Sequence, residues 1–158
     1  MKPQLRLQAL NTLAEASLLS GHPDEALAWV AKSRELANRA HLAGSREAAK
    51  TSVFEGAALQ AQGRPELALQ ALGAQCDEAR MSASSYPVLD RLFSLNCARP
   101  LADAGRRDAA LALVSQALPL LRDGLGQDAP TLQRGEALLR ELRASAPAPS
   151  NRRLELFF

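Results

Sequence analysis

Few residues of this chain are of a kind that does chemistry, and none stands in a spacing that chemistry requires. The histidines, His22 and His41, are separated from each other and from both cysteines, and the acids after His22, Asp24 and Glu25, fall in the first turn of a helix. Both histidines read as helix-end residues, not as metal ligands or general bases. Cys76 and Cys97 fall in no metal-ligand spacing and read as two thiols filling core space in a reducing compartment. Ser17, Ser20, Ser52 and Ser94 have no base at a fixed offset that would activate a hydroxyl. With no paired carboxylates, nucleophile–base set or phosphate loop, the expectation is a non-enzyme that needs neither cofactor nor metal.

What remains is chemistry of contact. Arg134, Arg140, Arg143, Arg152 and Arg153 could meet an acidic partner, but Glu136 and Glu141 neutralise part of that charge and a solvated face is the simpler reading. The segment Leu154-Glu155-Leu156-Phe157-Phe158 follows a polar, proline-containing stretch at 145–150. Covering each of Leu154, Leu156, Phe157 and Phe158 is worth about 1.5–3 kcal/mol. The segment reads as a docking peptide for a neighbour or for the chain's own groove, or as a piece of a larger protein, on an otherwise flexible tail at 145–158. Trp29 reads as a packing residue, with an interface anchor as the alternative.

Composition says what must position these residues. Of 158 residues 31 are Ala and 29 Leu, against four Val, three Thr and no Ile. The χ1-stiff residues of strands are nearly missing and the best helix formers dominate, so the chain is all-α. A net charge of +2 with basic and acidic residues interleaved, and only 4% aromatics, argue against a nucleic-acid stripe or a base-stacking groove. No run approaches the ~20 apolar residues of a membrane span, and the first residues lack the apolar core of a secretory signal. A soluble, cytoplasmic protein is expected.

The helices are punctuated at a fixed period. Gly21-His22-Pro23-Asp24-Glu25-Ala26-Leu27, Gly63-Arg64-Pro65-Glu66-Leu67-Ala68-Leu69 and Gly105-Arg106-Arg107-Asp108-Ala109-Ala110-Leu111 recur every 42 residues, the mark of a repeat array. Each glycine suits a left-handed helix stop, each following proline a first helical position, and each acid the positive end of a helix dipole. Pro3, Ser45, Pro87 and Ala129 are spaced by 42 as well and mark helix starts. The expected domain, 3–143, holds helix pairs at about 3–44, 45–86 and 87–128 and a capping helix at 128–144. The buried stripe of the second helices is read as Ala26, Val30, Ala37 and Ala40, with Leu27, Ala31 and Leu36 beside them, then Ala110, Leu113, Val114, Ala117, Leu118 and Leu121. The last helix offers Leu132, Leu138, Leu139 and Leu142. Pro100 and Pro119 fall inside helices and should kink them, making the third repeat the least regular. Leu5, Leu7, Leu10 and Leu13 give the first helix more apolar surface than a solvent-facing cap needs, which suggests packing on a preceding domain or a second copy.

The triples Gly21/Ala26/Val30, Gly63/Ala68/Leu72 and Gly105/Ala110/Val114, with small Ala14, Gly56 and Ala98 in the preceding helices, resemble tetratricopeptide repeats. Leu10, Ser52 and Ser94 stand where that family carries large aromatics. The 42-residue unit is similar to the longer repeats of kinesin light chains. The resemblance covers about residues 3–142. It implies a right-handed α-solenoid of three helix pairs plus a capping helix, acting as a non-catalytic scaffold for a protein or peptide, often attached to bacterial signalling or regulatory proteins. It also implies a concave face lined by the first helices, here Gln8, Asn11, Glu15, Lys50, Val53, Gln60, Leu92, Leu95 and Arg99. Asn11, Lys50 and Asn96 match in part the residues with which some members grip a peptide carboxylate, whereas Glu15 has the wrong sign. Association of copies through exposed repeat ends is a further expectation. The alternative function is a sensory module that takes a small molecule in the groove.

Overall fold

The computed structural model describes residues 1–144, 154 and 156–158, and all regular structure among them is helical. The linker expected at 145–150, Arg152, Arg153 and Glu155 lie outside the described residues. The chain divides into two compact units, Met1–Leu72 and Gly73–Phe158.

The first unit contains α1 (Pro3–Leu19), α2 (Pro23–Arg39), α3 (Arg46–Ala61) and α4 (Pro65–Leu72). Its turns form because the chain supplies a residue tolerant of positive φ where each helix must stop. Gly21 sits at φ +77°. Its N–H donates to the Leu18 carbonyl, and the His22 N–H donates to that of Ser17 at 2.8 Å, closing the last turn of α1. The same paired closure recurs at Gly63, where the Arg64 N–H reaches the Leu59 carbonyl at 2.9 Å. His41 performs this job without being a glycine: at φ 55° it ends α2, with the Leu42 N–H donating to the Ala37 carbonyl. Ser45 then caps α3 by accepting from the Ala48 N–H at 3.2 Å.

Packing in this unit uses small residues where helices cross. α1 packs on α2 and on α3, α2 on α3, and α3 on α4. Ala14, Ala26 and Ala68 are fully buried, with Val30 and Leu72 beside them in the core. A Cβ placed on Gly56 would lie 2.8 Å from Leu72 Cγ, so only glycine lets α4 approach α3 this closely. Trp29 is half-buried, with Lys32 Nζ 4.2 Å from its ring centroid. The leucines of α1 divide: Leu7 is fully buried, whereas Leu5 and Leu13 are exposed.

The second unit begins with a 3-10 turn (Gly73–Cys76) and continues through α5 (Glu78–Ser82), α6 (Pro87–Ser94), a 3-10 turn (Leu95–Cys97), α7 (Ala98–Asp103), α8 (Arg107–Leu125) and α9 (Pro130–Arg143). α8 packs on α6, α7 and α9. The stripe Ala110, Leu113, Val114, Ala117, Leu118 and Leu121 is buried throughout, as are Leu132, Leu138 and Leu142, while Leu139 is half-buried.

Two expectations are corrected here, on the helix begun at Pro65 and on the cysteines, and the two prolines of the third repeat differ in effect. The helix begun at Pro65 does not run on toward 86. It stops at Leu72 because Gly73 turns left-handed at φ +52° and Asp77 then caps a new short helix, accepting from the Ala79 and Arg80 N–H groups. The prolines of the third repeat act unequally. Pro100 coincides with a break: its ring conflicts with the carbonyl four residues earlier, that of Asn96, and the backbone over Leu95–Cys97 tightens to 3-10. α8, in contrast, is assigned as one helix through Pro119. Finally, Cys76 and Cys97 are not free thiols but a disulfide, their Cα atoms 5.8 Å apart. A pair of cysteines 21 residues apart carries no framework pattern in sequence; they meet because the two 3-10 turns do.

Candidate functional site

The turn that Pro100 imposes presents Asn96, and Asn96 holds a piece of non-helical chain. Its Oδ1 accepts the Phe157 N–H at 2.9 Å, and its Nδ2 donates to the Phe157 carbonyl at 2.6 Å. The same Nδ2 donates to the Phe93 carbonyl at 2.9 Å, which fixes the amide's orientation. One side chain thus satisfies both main-chain groups of one residue, a pattern that reads backbone and ignores side-chain identity.

Identity is read elsewhere in the same site. The Phe157 side chain is 1% exposed and Leu156 is also buried. From α9, Arg134 donates to the Leu156 carbonyl at 3.1 Å and lays its guanidinium carbon 5.3 Å from the Phe157 ring centroid, a cation–π contact. Leu154 and Phe158 are half-buried. Where the sequence suggested a flexible tail, residues 156 and 157 are packed against this site. Each of the two large buried side chains contributes about 1.5–3 kcal/mol, and ordering each residue's backbone costs about 1–2 kcal/mol. Three hydrogen bonds to main chain add about 0.5–1.5 kcal/mol apiece. The docked segment is held by a margin of only a few kcal/mol.

The site is braced from below. The disulfide ties the turn carrying Asn96 to the 3-10 turn at Gly73–Cys76. Next to it, the buried Arg91 of α6 makes paired hydrogen bonds to Glu78 of α5, Nη1 to Oε2 at 2.7 Å and Nη2 to Oε1 at 2.6 Å. These bonds hold the Glu78 carboxyl below the ordinary carboxylate range, against an opposing push from burial. The Arg91 guanidinium is correspondingly raised, first by its hydrogen bonds to Glu78.

The pair makes an asymmetric prediction. The Glu78 side chain is about half exposed at 52%, while that of Arg91 is 9% exposed. Glu78→Ala strands a buried guanidinium and should cost on the order of 1–3 kcal/mol or more. Arg91→Met leaves a carboxylate that water can reach, and should cost less. Because the folded-state pKa of Glu78 is depressed, its contribution is fully present above the ordinary carboxylate value and is lost as pH falls from there through the lowered folded-state value. Urea titrations at pH 7 and pH 3 check both points: the gap between Glu78→Ala and the parent chain should narrow at the lower pH. Equal loss at both values would remove the ion pair as the cause.

The expected concave-face residues divide between the two units. Gln8, Asn11, Glu15, Lys50, Val53 and Gln60 belong to the first unit, and Leu92, Leu95 and Arg99 to the second. Asn11 is buried between α1 and α3, donating to the Glu47 carbonyl at 2.8 Å and accepting from Thr51 Oγ1 at 2.8 Å. It is a brace between two helices, with its amide already satisfied inside the unit. Val53, Leu92 and Leu95 are core residues, not the floor of an open groove. Lys50 pairs with Glu47 at 3.3 Å, and Arg99 pairs with Glu141 at 2.7 Å. Gln8 is exposed, and Glu15 and Gln60 are half-buried. Asn96, matched only in part at the level of sequence, is the one that holds non-helical chain. A 3-10 turn set off by an interior proline is the local signal that singles it out.

The first unit has a surface groove of about 490 Å³ lined by Arg34, Glu55, Leu59, Leu67, Gln70 and Ala71. Its charged members pair with each other, Arg34 Nε donating to Glu55 Oε2 at 2.8 Å. No group of three or more metal-ligating side chains occurs among the described residues, and no helix among them is long and apolar enough to cross a membrane. Comparison with known proteins finds no matching family model, no matching curated protein and no matching solved structure.

Proposed function

We propose that the chain is a non-catalytic binding module for protein or peptide segments, built of tetratricopeptide-like helix pairs stacked as a right-handed α-solenoid. The observation that supports this best is the clamp on Phe157. A side-chain amide that satisfies both main-chain groups of a non-helical residue, next to a closed site for its aromatic ring, is peptide-recognition chemistry in working form. The 42-residue recurrence of left-handed glycine, buried small residue and buried large residue supports the repeat architecture. The partner is a polypeptide and not a nucleic acid, because charge is nearly balanced and aromatics are few. A small-molecule role for the groove of the first unit is disfavoured because its charged groups, Arg34 and Glu55, already satisfy each other.

Selection of random 12-residue peptides on the immobilised full chain, followed by fluorescence anisotropy of the enriched sequences, tests this reading. Binders with dissociation constants below about 100 µM, roughly −5.5 kcal/mol, are expected. Recovery of nothing tighter than about 1 mM would reject a peptide-binding role.

A further inference from the structure

We propose that segment 156–158 is a resident ligand of this site, and that the site's partner in trans is an extended peptide of the same chemistry: leucine, then phenylalanine, docked with its backbone on Asn96 and its aromatic ring beneath Arg134. The inference rests on the peptide-binding reading and deepens it by naming the recognised sequence class and its control.

Three features carry it. First, the recognised segment contributes no helix to the unit. It is linked to α9 through 145–153, and its described residues are non-helical, so it meets the site as a separate peptide would. Second, the hydrogen bonds that Asn96 and Arg134 make to residues 156 and 157 go to main chain: the Phe157 N–H and carbonyl and the Leu156 carbonyl. Any extended chain offers those groups. Selectivity is left to the enclosed ring of Phe157 and the buried Leu156, for which aromatic and aliphatic side chains at adjacent positions are the requirement. Third, Arg134 is itself exposed on α9, so its guanidinium is reachable by an incoming aromatic from solvent. A tethered segment competes at high effective concentration, so the site is filled in cis until a stronger or more abundant segment displaces it.

The test uses the full chain and a labelled synthetic peptide of the sequence at 151–158, Asn-Arg-Arg-Leu-Glu-Leu-Phe-Phe. Phe157→Ala in the full chain weakens the resident segment and should raise its affinity for the free peptide at least tenfold over the unaltered chain. Adding Asn96→Ala to Phe157→Ala should abolish that gain, and a peptide with alanine at the position of Phe157 should not bind. In the unaltered chain, excess free peptide should accelerate hydrogen exchange of the Phe157 amide several-fold. Equal peptide binding to the unaltered and Phe157→Ala chains, or a gain insensitive to Asn96→Ala, would overturn the proposal. So would loss of helical circular dichroism in Phe157→Ala, because that would make the segment part of the core. Library peptides that still bind after any of these failures, without sensitivity to Asn96, would leave the broader peptide-binding reading standing on its own.

Discussion

Phe54→Ala is expected to lower the stability of the first unit by about 3–5 kcal/mol, the cost of emptying a large aromatic site in a closed core. Phe54 is, with Phe157, the bulkiest of the fully buried side chains among the described residues, 1% exposed, on a helix that packs against α1, α2 and α4. Truncation there removes contacts to all sides at once. The neighbouring polar network cannot move in to fill the space, because Thr51 is bonded to both Asn11 and the Glu47 carbonyl and its collapse would break buried hydrogen bonds. Total domain stabilities run to about 5–15 kcal/mol, so the change is a large fraction of the whole. Trp29 is the only tryptophan in the chain and lies in the same unit, so urea unfolding followed by its fluorescence reads the effect directly. Leu19→Ala, at an exposed site on α1, is the matched control and should change stability by less than about 0.5 kcal/mol. A loss below about 1 kcal/mol for Phe54→Ala would mean that α3 is not enclosed on the sides described.

The second large effect is reduction of Cys76–Cys97. The bridge closes a loop between residues 21 apart. On the chain-entropy account, losing such a loop costs about 3 kcal/mol of stability. A functional consequence should accompany the thermodynamic one. The bridge anchors the turn that presents Asn96, so opening it should loosen the clamp on Phe157 as well as the helices around it. Hydrogen exchange with and without reductant should show protection falling together across 76–100 and at the Phe157 amide. The serine double variant, Cys76→Ser with Cys97→Ser, should behave as the reduced chain does in the absence of reductant. Alkylation of the untreated, unfolded protein should modify neither cysteine; two modified thiols would show that the bridge does not form.

Reading the helix ends required only residues close together in the chain. Gly21, Gly63 and Gly105 adopt positive φ, Ser45 caps α3, and prolines open α1, α2, α4, α6 and α9. The buried positions of each repeated triple were legible for the same reason. A helix stop, a cap and the side of a helix that carries small and apolar residues are set by conformational preference within a turn or two. Even the missed break after Leu72 was locally signalled, by Gly73 and Asp77; the strength of the 42-residue period concealed it.

The site was a different kind of problem. By itself the sequence determined an all-helical chain with helix ends and buried stripes at regular intervals, because those depend on local backbone preference and on the 3.6-residue recurrence of apolar side chains. Only the tertiary structure decided that Cys76 meets Cys97, that Asn11 binds Glu47 and Thr51 instead of a ligand, and that Asn96 grasps a residue 61 positions away. Those pairings depend on where two helices and a turn come to rest against each other. That position follows from side-chain packing across elements, which no spacing along one strand of sequence encodes.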